Sequence, residues 1–332
     1  MITVTELCKV YQTYNRREGV LGSVRDLISR NYQDLVAVDE ITSEIKAGEL
    51  IGFIGPNGAG KSSTIKMLSG ILKPTSGEMD VFGFHPFRER KEYTRQIGVV
   101  FGQRTQLWWD IAVRESLNLL GKIYGVPENV YKSRLKNLEE ILGLGNLLAR
   151  PVRKLSLGER MRCDLAASLI HNPKVLFLDE PTIGLDQVAK DAIRNFLRKI
   201  NKDFKTTIIL TTHDLKEIEE LCQRIVVLDK GKIIYDGKLS AVKNLPGLTR
   251  NVSIDFTKEA PIENLIQEFG ARVNFLREGE RRVTASVDPQ LIAPAELVRA
   301  ILAKHDVADL SITEPEIEQV ISKIYRDGVT SV

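Results

Sequence analysis

Short runs of consecutive apolar residues punctuate the chain, separated by stretches in which apolar positions recur every three or four residues. Residues 50–54, 97–101, 175–178 and 207–210 form the unbroken runs, the pattern of strands buried on both faces of a parallel sheet. Helical spacing appears over residues 61–68 and across the region 112–148, where Val113, Leu117, Leu120 and Ile123, then Leu135, Leu138, Ile141 and Leu142, would each share a face. A further helix is predicted from near Gly158 until His171-Asn172-Pro173 punctuates it, and another over residues 188–200. A strand from Ile2 to Leu7, continuing into Tyr11, opens the chain, and residues 225–236 read as a hairpin turning at Asp229-Lys230-Gly231-Lys232. Short apolar strands alternating with helices predict an α/β fold.

The pattern changes after Leu239. Pro246 and Gly247 suit a linker, and beyond them strand (252–256), helix (262–269), strand (272–276), strand (283–287), helix (294–304) and strand (310–313) follow in the order βαββαβ. That is a small α+β, ferredoxin-like unit, closed by a helix over residues 316–325. Two domains are therefore expected, at residues 1–240 and 241–332. An inserted segment of about residues 15–36 interrupts the first. In it Val20, Val24, Leu27 and Ile28 fall at helical spacing among Arg16, Arg17, Arg25 and Arg30. This reads as a surface helix packed on its own domain, or as a basic amphipathic element touching a membrane surface.

Composition narrows the class. With 332 residues, 43% hydrophobic and 27% charged, the chain can build real cores and is not a disordered or low-complexity polymer. The balance of 47 Lys+Arg against 44 Asp+Glu leaves a net charge of +3, too small to argue for nucleic acid. Cys8, Cys163 and Cys222 are scattered and form no CxxC pair, as in reduced thiols. No apolar run approaches the ~18 residues of a membrane span, and Met1 to Glu6 has no signal-peptide character. A cytoplasmic protein is expected.

Residues 55–62, Gly-Pro-Asn-Gly-Ala-Gly-Lys-Ser, satisfy G-x-x-x-x-G-K-[ST] between a predicted strand and a predicted helix. Gly55, Asn57, Gly58, Ala59 and Gly60 would let backbone N–H groups curl around an anion, with the positive end of the following helix behind it. Lys61 can reach β- and γ-phosphates, Ser62 is suited to hold Mg²⁺, and Ser63 adds a donor in the first turn. The apolar run 175–178 delivers Asp179 and Glu180 at its end. Asp179 would bind Mg²⁺, and Glu180 would orient and deprotonate an attacking water. His85, His171 and His305 are isolated and read as structural or surface residues. Asn201-Lys202-Asp203-Phe204 places its acid one position early for guanine recognition, which removes the main support for a GTPase.

Between those motifs, Lys154-Leu155-Ser156-Leu157-Gly158-Glu159-Arg160 resembles the LSGGQ signature of ATP-binding-cassette ATPases. Other elements fall in the order the resemblance requires: Gln103 as the Q-loop glutamine, residues 181–186 as the D-loop, and His213 as the switch histidine. Tyr11, or Tyr14, would stack on adenine. Over residues 1–240 the resemblance implies a P-loop NTPase cassette with a RecA-like core and a helical subdomain at about 104–170. It also implies ATP and Mg²⁺ as ligands, Glu180, His213 and Gln103 as catalytic residues, and Ser62, Gln103 and Asp179 around the metal. Ser156, Gly158 and Glu159 would approach the nucleotide of a second subunit, which implies a homodimer. The chain is similar to the ATPase subunits of drug-resistance and sodium exporters, so an ABC-2 type permease in the membrane is the implied partner. Peripheral attachment to the cytoplasmic face follows, and nucleic acid is not expected. Leu157 and Glu159 depart from the signature, and Glu159 brings a carboxylate towards a triphosphate. Two alternatives stand beside this reading: a non-transport cassette ATPase acting on ribosomes or nucleic acid, and a weakly hydrolysing regulatory module. Trp108 and Trp109 would either pack locally or grip a helix of the membrane partner.

Overall fold

The consecutive apolar runs become neighbouring strands of one sheet. A computed structural model of the chain describes residues 1–14, 32–102, 104–242, 248–315 and 317–327. They divide into two compact units, Met1–Asp236 and Gly237–Val332. The predicted basic helix at residues 16–30, Gln103, and the linker residues Pro246 and Gly247 lie outside the described residues, as does Glu316 at the start of the closing helix.

The first unit opens with β1 (Ile2–Tyr14), β2 (Tyr32–Ile45), β3 (Leu50–Ile54), α1 (Lys61–Leu68), β4 (Ser76–Val81), α2 (Arg90–Tyr93) and β5 (Ile97–Phe101). The helical region follows as α3 (Val113–Ile123), α4 (Glu128–Leu142) and α5 (Leu157–Leu169). Next come β6 (Val175–Asp179), α6 (Gln187–Phe204), β7 (Thr207–Thr211), α7 (Leu215–Leu221), β8 (Arg224–Asp229) and β9 (Lys232–Lys238). The larger sheet has the order β5-β6-β7-β3-β8-β9, and β5, β6, β7, β3 and β8 pair in parallel. Every residue of β3 and β7 is buried, which is why these strands are apolar without alternation.

A second, antiparallel sheet, β2-β1-β4, supplies the other wall of the core. Ile2, Val4 and Leu7 of β1 and Val38, Ile41 and Ile45 of β2 join Ile51, Phe53, Ile209 and Val226 of the parallel sheet in one buried cluster, with Ile65, Met67 and Leu68 of α1. Each such side chain contributes about 1.5–3 kcal/mol by leaving water. Here the structure corrects the expected insertion at about residues 15–36. Residues 32–36 are the start of β2, with Val36 opposite Val10, Leu35 opposite Tyr11 and Tyr32 opposite Tyr14. All five are exposed, so no core-facing period marks them as strand. The segment Ser76–Val81 was also silent, because only Met79 and Val81 of this strand are buried.

In the second unit, α8 (Leu239–Val242) precedes β10 (Arg250–Phe256), α9 (Ile262–Phe269), β11 (Val273–Arg277), β12 (Arg282–Val287), α10 (Pro294–Lys304), β13 (Val307–Thr313) and α11 (Ile317–Asp327). Its sheet is antiparallel with the order β11-β12-β10-β13, the arrangement a split βαβ connection produces. Val252, Ile254 and Phe256 alternate inward to meet Leu265 and Phe269 of α9 and Leu297 and Ile301 of α10.

His171 fastens the helical region of the first unit to its sheet. Its Nε2 stands 2.8 Å from the Ile97 carbonyl, and its ring stacks on Tyr124 with centroids 3.9 Å apart. Burial lowers its pKa to about 4. The unfolded chain takes this proton near pH 6.5, the folded chain only near pH 4. The stability His171 contributes is thus complete above pH 6.5 and is lost as the pH falls through that window, by about 3 kcal/mol. Asp164, whose carboxyl burial raises to about 6, acts in the opposite sense over part of the same range. Urea unfolding at pH 7.5 and 4.5 should therefore be compared between wild type and His171→Phe. The wild type should lose about 2–3 kcal/mol more than the variant; equal losses would contradict a buried neutral imidazole.

Candidate functional site

Loops leaving the carboxyl ends of parallel strands form the clefts of open α/β sheets, and the sequence motifs gather at that edge. Residues 55–60 leave β3, Gly102 leaves β5, Asp179 and Glu180 end β6, and His213 follows β7. Register places Asp179 opposite Phe101 on one side and Thr211 on the other.

The glycines of the first loop are needed for different reasons. Gly58 has φ +84° with open space around it, so only its backbone conformation demands glycine. Gly60 has φ +101°, and a Cβ there would stand 2.5 Å from the Ala37 carbonyl oxygen of β2. A Cβ on Gly55 would lie 2.6 Å from the carbonyl oxygen of Leu228. The loop is held from the side as well, by Gly231 N–H donating to the Ala59 carbonyl at 3.2 Å. Gly60 precedes α1 without a side-chain cap, so the first-turn N–H groups, from Lys61 to Ser63, have no intrahelical acceptor and face outward as a positive end.

Lys61 is only 6% exposed. Its Nζ donates to the carbonyls of Gly55 at 2.6 Å and Pro56 at 3.0 Å. Burial pulls its pKa below the ordinary value, while Glu180 and Asp179 hold it up. Ser62 Oγ donates to Asp179 Oδ1 at 3.0 Å, and Thr211 Oγ1 donates to the same oxygen at 2.6 Å. No motif points to Thr211 in the sequence, where its one signal is a hydroxyl after the apolar residues 208–210.

Side chains on a regular strand alternate between faces, which would part Asp179 from Glu180. Glu180 breaks that alternation with φ +53°. Its N–H donates to the Thr211 carbonyl at 3.0 Å, and a Cβ on Gly102 would meet the Glu180 carbonyl oxygen at 2.0 Å. A strained backbone of this kind costs on the order of 1–3 kcal/mol and persists only where its neighbours enforce it. The result is a cleft of about 430 Å³ lined by Ser62, Lys66, Gly102, Arg104, Asp179 and Glu180. His213 is 62% exposed, with Nδ1 3.6 Å from Glu180 Oε2, too far for a hydrogen bond.

This donor set fits a magnesium-bound triphosphate. Ser62 and Asp179 offer hard oxygens, and Mg²⁺ prefers one or two such ligands plus phosphate and water. Among the described residues no three His, Cys, Asp or Glu side chains gather into an all-protein metal site. Tyr11 lies at the outer part of β1, its ring 5.1 Å from Lys9 Nζ.

Ser156, Gly158 and Glu159 do not line this cleft. Ser156 is the N-cap of α5 and accepts from Glu159 N–H at 3.2 Å, while Ser156 N–H donates to Glu159 Oε2 at 2.8 Å. Glu159 Oε1 also meets Arg150 Nη1 at 2.8 Å. The bond from Ser156 N–H and the Arg150 guanidinium hold the Glu159 carboxyl below its ordinary pKa. The unusual carboxylate thus completes a capping box within its own chain. Ser156 is exposed; its Oγ accepts the capping bond from Glu159 N–H, and its hydroxyl also bonds the Glu159 carboxylate. Leu157, the other departure, covers the 181–186 loop: a Cβ on Gly184 would lie 3.2 Å from Leu157 Cδ2.

Comparison with known proteins places these motifs in a family. The family described as ABC transporter matches residues 38–183. The chain is similar to the daunorubicin resistance ATP-binding protein DrrA3 of Streptomyces coeruleorubidus, 32% identical over 91% of this chain and 95% of that protein. It is also similar to the methionine import ATP-binding protein MetN of Geobacillus kaustophilus (strain HTA426), 37% identical over 74% of this chain and 68% of that protein. Among solved structures, an ATP binding subunit of an ABC transporter matches with a TM-score of 0.61 and 26% identity, covering 73% of this chain and 91% of its own.

The capping box gives a direct stability test. Glu159→Ala should lower the unfolding free energy by about 1 kcal/mol and Glu159→Gln by less than half as much. Urea melts that show no loss in the alanine variant would remove the capping role.

Proposed function

The chain belongs to the ABC transporter family of ATP-binding proteins, and from that premise we propose that it is the ATPase subunit of an exporter, driving a separate membrane permease. It binds ATP with Mg²⁺ and hydrolyses ATP. The observation that carries the site assignment is the cluster of Ser62, Asp179 and Thr211, hydrogen-bonded at 3.0 and 2.6 Å, with Glu180 turned into the same cleft.

In this reading the N–H groups of residues 57–63 surround the phosphates, and Lys61 exchanges its two loop carbonyls for phosphate oxygens. Ser62 and Asp179 hold Mg²⁺, with Gln103 as a further ligand; when bound, the ion neutralises charge that develops on the γ-phosphate oxygens. Glu180 orients the attacking water and accepts its proton, and His213 donates towards the γ-phosphate. Tyr11 stacks on adenine.

Two copies of the chain face each other, and the hydroxyl of Ser156 and the N–H of Gly158 donate to the triphosphate held by the other copy. The amino end of α5 adds its positive dipole there. Closure on ATP and opening after hydrolysis is the bistable step that moves the permease. No helix among the described residues is long and apolar enough to cross a membrane, and in this reading the permease supplies the path. The exposed Trp108 and Trp109 suit its docking face, with the subunit on the cytoplasmic side. The unit Gly237–Val332 is assigned an accessory role in dimer stability or regulation. Export is supported by the likeness to DrrA3, whose coverage of both chains is equalled by methionine import proteins of the MetN type. Import is the second reading, favoured by the likeness to MetN. Transport assays in vesicles of each orientation, with the co-purified permease, separate the two: ATP-dependent movement away from the ATPase face supports export, and movement towards it overturns export.

Glu180→Gln should slow hydrolysis by roughly 10²–10⁴-fold and elute as a dimer from size exclusion with ATP and Mg²⁺. A persistent monomer, or hydrolysis at the wild-type rate, would defeat the assignment. Lys61→Ala should abolish nucleotide binding in equilibrium dialysis; unchanged binding would exclude residues 55–62 as the cradle.

A further inference from the structure

The loop at residues 104–110, which carries Trp108 and Trp109, is fastened to the signature helix α5 at successive points. Asp164 of α5 is 3% exposed. Its Oδ1 accepts from Thr105 Oγ1 at 2.8 Å and from Gln106 N–H at 3.0 Å, while Gln106 Nε2 donates back to the Asp164 carbonyl at 3.0 Å. Thr105 Oγ1 in turn accepts from Leu107 N–H at 3.1 Å. Closer to the amino end of the helix, Arg160 stands over the Trp109 ring, 5.6 Å from its centroid. Just before the helix, Arg153 N–H donates to the Trp109 carbonyl at 3.0 Å and the Arg153 guanidinium meets Asp110 at 2.9 Å.

The Arg153 and Trp109 attachments are at the surface and are screened by water. The Asp164 attachment is the interior one: a charged acceptor there makes strong bonds, and removing it would strand buried donors. Burial raises the Asp164 carboxyl to about 6, opposed by Thr105 and by the backbone N–H groups of the loop. Asp164 lies eight residues beyond Ser156 on one helix, about 12 Å at 1.5 Å per residue. A helix of that length is stiff, so the loop and Ser156 are held on a single rigid element.

We propose that Asp164 is a positioning residue that rivets the tryptophan-bearing loop to the helix carrying Ser156 and Gly158, so that the two move as one body when the signature engages a triphosphate. The proposal rests on the reading that Ser156 and Gly158 meet the nucleotide of a second copy. It assigns the mechanical link between that contact and the exposed tryptophans to one buried carboxylate. No role for the Asp164 side chain in binding ATP is implied.

Trp108 and Trp109 are the only tryptophans in the chain, so emission excited to the red of the absorption of the eight tyrosines reports this loop alone. The experiment uses the full chain with Glu180→Gln as parent, titrated with Mg²⁺ and ATP. Emission is followed alongside dimer formation by light scattering and ATP affinity by equilibrium dialysis. The parent should show a saturable emission change that tracks dimer formation. With Asp164→Ala added, the amplitude should fall at least threefold while ATP affinity stays within twofold. Asp164→Asn, which keeps one acceptor oxygen, should restore more than half of the lost amplitude. If circular dichroism shows that the alanine variant does not fold, Thr105→Val serves instead, with an amplitude at least halved. Full amplitude in both Asp164→Ala and Thr105→Val overturns the rivet. A parent that dimerises on ATP without any change in emission overturns it equally. A parent that binds ATP and never dimerises overturns the two-copy reading and, with it, the rivet.

Discussion

Charge balance at the carboxyl edge of the parallel sheet is the constraint on which the rest of this molecule depends. An ammonium only 6% exposed and two neighbouring carboxylates would each be costly in a low-dielectric interior. The chain compensates with fixed groups: the carbonyls of Gly55 and Pro56 accept from Lys61, and the hydroxyls of Ser62 and Thr211 donate to Asp179. These partners are held by strands with little freedom to relax, since β3 and β7 are buried along their whole length. A site built this way is preorganised for an added anion with its cation, because its donors and acceptors are already fixed in place, with Ser62, Asp179 and Glu180 lining the cleft. The left-handed backbone at Glu180 belongs to the same design. It turns the second carboxylate into the cleft, and Gly102 leaves room for the carbonyl that results.

Much of this was legible in the sequence because the physics is local. Short, largely apolar runs such as residues 50–54 and 207–210 fit strands covered on both faces, and Gly58 and Gly60 mark backbone that other residues resist. The strand from Tyr32 was illegible for the opposite reason. Its first five residues bury nothing, and their strand geometry comes from pairing with Val10 to Tyr14, a partner distant in sequence. Thr211 escaped notice in the same way, because its importance arises only when register sets it beside Asp179.

The signature segment shows how a local departure can be absorbed. Read along the sequence, Glu159 puts a negative charge where a triphosphate is expected. In the fold both carboxylate oxygens are engaged, one by the Ser156 N–H and the other by Arg150. The sequence held a hint in the basic residue at position 150, but pairing across nine positions and a turn is decided by tertiary geometry. Leu157 likewise finds its place over Gly184. The departures thus serve packing and capping inside one chain.

The central claim is that the Ser156 hydroxyl and the Gly158 N–H are spent on a nucleotide belonging to a second copy. The most direct measurement is a structure of the Glu180→Gln chain with ATP and Mg²⁺. The account predicts a head-to-tail pair in which Ser156 Oγ and Gly158 N of one copy lie within hydrogen-bond distance of the γ-phosphate bound by residues 55–62 of the other. An ATP-loaded structure with both groups turned to solvent, in every assembly present, would contradict it.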